Sequence, residues 1–147
     1  MFKHVLIPTD GSPVANKAVK AGLKLAAELG ARVTGYCSVA PVQQPASSEG
    51  YLLDRSLIKE FQKRAVEAAE LQLASMAKLA KAAGVTYSGV VTVALTPYEG
   101  IIEAAKKGKC DAIFMASHGR RGIAGLIMGS VTHKVLTHSK VPVLVYR

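Results

Sequence analysis

Five short apolar runs alternate with segments of helical periodicity along the chain, and this alternation is the strongest constraint on its fold. The runs cover residues 5–8, 32–39, 87–93, 111–116 and 139–146. Runs of this length are typical of buried parallel strands. Strands separated by helices favour a parallel sheet with right-handed crossovers. The sequence therefore predicts one α/β domain over residues 1–147, a doubly wound fold with helices on both faces of a five-stranded parallel sheet in the order 3-2-1-4-5.

The segments between these runs carry helical signals. Ser12 and Pro13 suit the start of a first helix, as N-cap and first-turn residue, and Gly30 suits its end. A long second helix is predicted over residues 52–83, followed by helices over 98–106 and 131–137. An apolar stripe along the second helix is interpreted as core packing, and its members are Leu57, Phe61, Ala65, Ala69, Leu73, Met76, Ala80 and Ala83.

The composition argues against several classes of protein. No apolar run approaches the roughly 20 residues of a membrane span, and the first residues lack the architecture of a signal peptide. We therefore expect a cytoplasmic protein that does not associate with a membrane. Cys37 and Cys110 lie far apart without metal-ligand spacing, which favours two reduced, partly buried thiols.

The net charge of +9 favours anionic partners such as nucleotides or nucleic acids. Many of the lysines lie on predicted helices, where a solvated face explains them. Aromatic residues are few and do not interleave with basic ones, so a stacking surface for single-stranded nucleic acid is poorly supported.

A glycine-containing loop follows the fourth predicted strand and carries the clearest functional signal. It contains Gly119, Gly122 and Gly125 and leads to Gly129 and Ser130, where a helix begins. Ser130 is predicted to be the N-cap, so that free N–H groups, the positive end of the helix dipole and a hydroxyl converge. This combination suits a phosphate group. A surface loop without a ligand is the alternative that this stretch alone leaves open.

The position of this loop in the predicted fold favours the phosphate site. Ligands of open doubly wound sheets bind beyond the carboxyl ends of the strands, where the strand order reverses. In the order 3-2-1-4-5 that point lies between the first and fourth strands. Residues 9–12, with the carboxylate of Asp10, follow the first strand, and residues 117–119 follow the fourth. We expect the two segments to face each other across one crevice.

With these features the sequence resembles the universal stress protein family over nearly its whole length. The resemblance rests on residues 5–12 (VLIPTDGS), 111–119 and 129–131 and on the ending VPVLV at 141–145. The nucleotide-binding branch of the family has the motif G-x2-G-x9-G-[ST]. Gly119, Gly129 and Ser130 fit its second half, whereas Ala116 replaces its first glycine.

The resemblance implies ATP binding, with magnesium or manganese carried on the phosphates. Asp10 would contact the ribose or adenine side, Val39 would pack on the adenine, and the residues around Gly119 and Gly129 would hold the sugar and phosphates. Arg120 and Arg121 would add positive charge beside the phosphates. The expected nucleotide site consists of Pro8, Thr9, Asp10, Ser12, Val39, Met115, Ala116, Ser117, His118, Gly119, Arg120, Gly129, Ser130, Val131 and Thr132.

No residue is predicted to be catalytic, because no acid is spaced to orient His118, His133 or His138 as a general base. The expected function is stress-related nucleotide binding without turnover. The same fold without ATP binding, a protein-interaction module and a slow ATPase are the alternatives. The resemblance also implies a homodimer that pairs through the last strand, here between Val141 and Val145, which as an edge strand needs cover.

Overall fold

The computed structural model describes residues 1–43, 55–119 and 128–147. In these ranges the chain forms five strands and four helices that alternate as the sequence predicts. In chain order they are β1 (His4–Pro8), α1 (Pro13–Leu29), β2 (Arg32–Val39), α2 (Arg55–Ala82), β3 (Tyr87–Val93), α3 (Pro97–Lys107), β4 (Ala112–Ala116), α4 (Ser130–His138) and β5 (Val143–Tyr146).

The strands form one sheet in the order β3-β2-β1-β4-β5, and each neighbouring pair is parallel. The predicted strand order is therefore confirmed. The predicted last strand is too long at its start, since β5 begins at Val143. The Ser139 hydroxyl accepts a hydrogen bond from the Val141 N–H at 3.1 Å and donates to the Val141 carbonyl at 2.8 Å, and so holds a local turn before the strand.

The two faces of the sheet are covered by separate pairs of helices. Along β1, Val5 and Ile7 pack into the core under α1 and α2, whereas Leu6 packs into the core under α3 and α4. This alternation follows from the two-residue period of a strand. β1 and β4 are buried on both faces and are apolar at nearly every position, so they carry no polar alternation.

Helix α2 departs from the predicted core stripe at both ends. Ala69, Leu73, Met76 and Ala80 are buried, but Leu57 and Phe61 are 43% and 50% exposed, and Ala83 is exposed as well. The 28 residues of α2 extend about 42 Å, whereas a strand of seven residues such as β3 extends about 23 Å. The ends of α2 therefore lie beyond the sheet. Residues 52–54 of the predicted helix lie outside the described residues.

No helix in the described ranges is both long and apolar enough to cross a bilayer. Cys37 and Cys110 are free thiols, and both are buried rather than partly buried.

Tyr36 of β2 connects its strand to β3 through a side-chain hydrogen bond. Its side chain is 1% exposed, and its hydroxyl lies 2.5 Å from the Thr92 hydroxyl of β3. We expect Tyr36→Phe to lower the free energy of unfolding by about 1–3 kcal/mol, because Thr92 would lose its partner. Urea titration measures this loss.

Tyr98→Phe is the matched control, since the Tyr98 hydroxyl donates to the exposed carboxylate of Glu99 at 3.1 Å and water would replace it. Equal losses in the two variants would contradict a specific role of the Tyr36 hydroxyl.

Candidate functional site

The segments that follow β1 and β4 lie beside each other at the carboxyl end of the sheet, because these two strands are paired neighbours. Asp10 Oδ1 accepts a hydrogen bond from the Ser12 N–H at 2.9 Å, and Thr9 Oγ1 accepts one from the Gly11 N–H at 3.1 Å. The turn therefore holds the Asp10 carboxylate in place. Its Oδ2 atom lies directly against Gly119, where any Cβ atom would collide with it.

The start of α4 returns to the end of β4. The Gly129 N–H donates to the Ser117 carbonyl at 2.7 Å. A Cβ atom at position 129 would stand 3.2 Å from His118 Cα and 3.3 Å from the Ser117 oxygen, closer than side chains usually approach backbone. Glycine therefore suits the close approach of these two backbone segments, because a side chain here would have to displace one of them by a few tenths of an ångström.

The predicted N-cap of α4 is wrong by one residue. Gly129 is the N-cap, and Ser130 is the first residue of the helix, with an exposed side chain. The first intrahelical bond runs from the His133 N–H to the Gly129 carbonyl at 2.9 Å. The N–H groups of Ser130, Val131 and Thr132 therefore have no acceptor within the helix. The predicted phosphate site would therefore consist of these backbone groups rather than a capping hydroxyl.

Thr132 anchors the first turn of α4 to the sheet. Its side chain is 3% exposed, and its hydroxyl donates to the Ala116 carbonyl at 2.9 Å. The hydroxyl is therefore engaged within the protein, which leaves only the backbone N–H of Thr132 for a ligand. Val131 packs against the core under α3 and α4.

Ala116, which replaces the first motif glycine, is accommodated without crowding this region. Its side chain packs with the buried residues under α1, such as Ala18 and Phe114, on the face of the sheet opposite to α3 and α4. It has no positive φ angle of the kind that glycine adopts. The methyl group therefore points away from the start of α4.

The remaining predicted site residues occupy less direct positions. Val39 is 8% exposed and packs with Cys37 and Leu73 under α2, which is the contact of an ordinary core residue.

Ser117 is 1% exposed, and its hydroxyl lies 2.8 Å from His118 Nδ1. Ser12 caps α1 by accepting from the Ala15 N–H at 3.2 Å. Pro8 ends β1, and Met115 is buried on the α3 side of β4.

Arg120, Arg121, Gly122 and Gly125 lie outside the described residues.

Two glutamines of α2 flank the site and were missed by sequence reasoning. The amide of Gln72 lies against Gly11, in the turn after β1. Gln62 accepts a hydrogen bond from the Val42 N–H at 2.8 Å and so holds the chain that leaves β2. No sequence signal identifies either residue, since each is a polar residue on an amphipathic helix. The position at which α2 crosses the sheet decides which of its polar residues contacts the turn after β1.

Within the described part of the chain, no three His, Cys, Asp or Glu side chains converge in a way that could hold a metal ion.

We expect Thr132→Val to lower the free energy of unfolding by about 1–3 kcal/mol, because the buried Ala116 carbonyl would lose its donor. Thr137→Val is the matched control on the same helix, since the exposed Thr137 hydroxyl donates within its own helix, to the His133 carbonyl at 3.0 Å. Urea titration of both variants checks the difference. Similar losses in the two would show that the Thr132 hydroxyl does not anchor α4.

Comparison with known proteins identifies relatives along the whole chain. The model of the universal stress protein family matches residues 1–147. Universal stress protein MJ0531 of Methanocaldococcus jannaschii is 31% identical over 150 residues, covering 100% of this chain and 83% of the relative.

Two solved structures show the same similarity. Protein MJ0577, a universal stress protein from the same organism, superposes with a TM-score of 0.81 at 25% identity, covering 99% of this chain and 95% of the other. A universal stress protein in complex with cAMP superposes with a TM-score of 0.67 at 26% identity, covering 99% and 97%. The family match over all 147 residues and the shared strand order show that this chain belongs to the universal stress protein family.

Proposed function

We propose that this protein binds a nucleotide, with ATP as the expected ligand, at the carboxyl ends of β1 and β4. One observation carries the proposal. The carboxylate of Asp10 and the free N–H groups at the start of α4 converge on the end of the same strand, through Gly119 and Gly129 respectively. The carboxylate could accept hydrogen bonds from the hydroxyls of a sugar, and the nearby backbone N–H groups could bind phosphates. The pair therefore suits a ligand with a sugar at one end and phosphates at the other.

The related structure with bound cAMP supports this proposal, since that protein belongs to the same family and superposes over nearly its whole length. The orientation proposed for ATP follows from charge. The phosphates would lie at the first turn of α4, where the helix dipole and the backbone N–H groups are favourable. The ribose or adenine side would lie near Asp10. Magnesium or manganese would then be held mainly by the phosphate oxygens.

The proposed activity is binding rather than turnover, and the proposed role is a cytoplasmic response to stress. A slow ATPase remains the second candidate, and its test is the release of phosphate over hours from purified protein with ATP and magnesium. A protein-interaction module without a nucleotide is the third, and the binding experiment below distinguishes it.

Ser130→Pro tests the phosphate site by removing one backbone N–H without breaking α4. Proline is well tolerated at the first position of a helix, where the N–H has no partner within the helix. The preceding Gly129 has φ −72° and ψ 153°, the extended conformation that a residue before proline prefers. We expect the affinity for ATP, measured by calorimetry, to fall about tenfold or more, the effect of losing a hydrogen bond to a charged group.

Ser130→Ala is the matched control, because it removes the hydroxyl and keeps the backbone N–H. Its affinity should stay within a few-fold of the parent protein if backbone groups hold the phosphates. The thermal transition of each variant shows whether the fold is retained. Unchanged ATP affinity in a folded Ser130→Pro protein would contradict the proposed phosphate site, and the absence of binding in the parent protein would favour the interaction module.

We further propose that the protein forms a homodimer through β5, which lies at one edge of the sheet. The carbonyls of Pro142 and Tyr146 accept hydrogen bonds from the N–H groups of Ile113 in β4 and of Ser117 just after it, at 2.9 and 2.8 Å. Because successive residues of a strand point to opposite sides, Val143 and Val145 direct their backbone groups outward. Pro142 therefore has its missing N–H on the inner side, and the outward edge keeps its donors for a partner strand.

Val145→Pro should dissociate the proposed dimer, because it removes an outward N–H without removing a bond to β4. Val91→Pro is the matched control at the other edge. The Thr86 and Ala94 backbones face β2, so by the same alternation Val91 faces outward on β3. Sedimentation equilibrium measures the oligomeric state. A protein that is monomeric before substitution, or one that Val91→Pro dissociates and Val145→Pro does not, would contradict pairing through β5.

A further inference from the structure

A polar cluster lies at the amino end of the sheet, opposite to the proposed nucleotide site. We call it the amino-end cluster, and it consists of the buried residues His4 and Thr34 and the exposed Ser88. The Thr34 hydroxyl lies 2.8 Å from His4 Nε2 and 3.0 Å from the Ser88 hydroxyl. One hydroxyl of β2 thus connects β1 and β3.

His4 is the titratable member of this cluster whose hydrogen bonds are incomplete. Its side chain is only 7% exposed, and among the described residues no group forms a hydrogen bond with Nδ1. A neutral imidazole has one donor and one acceptor, so Thr34 satisfies Nε2 and one nitrogen remains without a partner. A protonated imidazole has two donors, and its charge would be buried with the Nδ1–H unsatisfied.

We propose that the amino-end cluster is a proton-operated latch: when His4 takes up a proton, its ring leaves Thr34 and the amino end of the sheet opens. The carboxyl end, which carries the proposed nucleotide site, keeps its strand pairing. This inference is independent of nucleotide binding.

The charged and titratable groups around His4 oppose protonation on balance. Arg32 of β2 contributes a positive charge, whereas Asp111, before β4, contributes a negative one. Burial lowers the pKa of His4 from its ordinary value of 6.5, and Arg32 lowers it further, while Asp111 and the nearby backbone of Gly108 and Lys109 act in the opposite direction. Burial raises the pKa of the Cys110 thiol, which keeps it neutral in this range.

The direction of the pH effect follows from linkage. An open or unfolded state, in which His4 titrates near 6.5, binds more protons than the closed state, whose pKa is lower. The closed state therefore loses stability as the pH falls below about 6.5. Above that pH both states are neutral at His4, and the latch is closed.

Backbone amides on both ends of the sheet report on this opening. At the amino end the N–H groups of Arg32, Val33 and Asp111 donate to the carbonyls of Lys3, Thr86 and His4 at 3.0, 2.8 and 2.9 Å. At the carboxyl end the N–H groups of Thr9 and Ser117 donate to the carbonyls of Tyr36 and Tyr146 at 2.9 and 2.8 Å. Native-state hydrogen exchange can follow the two sets separately.

The test is hydrogen exchange of the full chain at pH 7.5 and 5.5, with rates corrected for intrinsic exchange. We expect protection of Arg32, Val33 and Asp111 to fall by up to about tenfold between these pH values. Protection of Thr9 and Ser117 should change much less. His4→Gln, whose amide can still bond to Thr34, should abolish the pH dependence, and His133→Gln, on the exposed face of α4, should retain it.

An equal fall at both ends of the sheet, or a fall that persists in His4→Gln, would overturn the proposal. If His4→Gln does not fold, NMR titration of the His4 ring in the parent protein decides. A native pKa below the ordinary value supports the latch, and one at or above it overturns it.

Discussion

β1 and β4 pair in parallel near the centre of the sheet, and this pairing positions both segments of the candidate site. β1 is the central strand, and it pairs with β2 on one side and β4 on the other. β2 follows β1 in sequence whereas β4 is distant from it, so the strand order reverses, and a crevice forms, between β1 and β4. The turn after β1 and the start of α4 meet only because these strands are adjacent. If β1 and β4 were not neighbours, Asp10 after β1 and Gly129 at the start of α4 would not lie at the same site.

Much of this architecture could be predicted from periodicity and caps, because those signals are local. The strands Arg32–Val39 and Tyr87–Val93 were predicted with the bounds that the structure has. The cap at Ser12 was also predictable, since an N-cap needs only its own hydroxyl and the following turn. The unusual residues after the first and fourth runs agreed with the predicted order 3-2-1-4-5, in which these two strands are neighbours.

The errors arose where position depends on a distant partner. Ser130 resembles an N-cap in sequence, but Gly129 is the cap, where the backbone of Ser117 and His118 leaves little space for a side chain. Leu57 and Phe61 have core spacing, yet α2 extends beyond the sheet that would bury them. Gln72 could not be assigned, since its contact with Gly11 depends on how α2 crosses the sheet. A periodic pattern predicts which face of a helix is apolar, but it does not predict which part of the fold covers that face.

Ala116 shows what a motif glycine does at each of its positions. A Cβ atom has little room at Gly119, where it would collide with the Asp10 carboxylate unless that side chain moved, and at Gly129, where it would press on the backbone after β4. Ala116 lies in the same segment, but its side chain points to the opposite face of the sheet and packs among the core residues under α1. A methyl group there adds buried apolar surface and takes nothing from the start of α4. The departure from the motif at this position therefore leaves the geometry of the proposed phosphate site as the other two glycines set it.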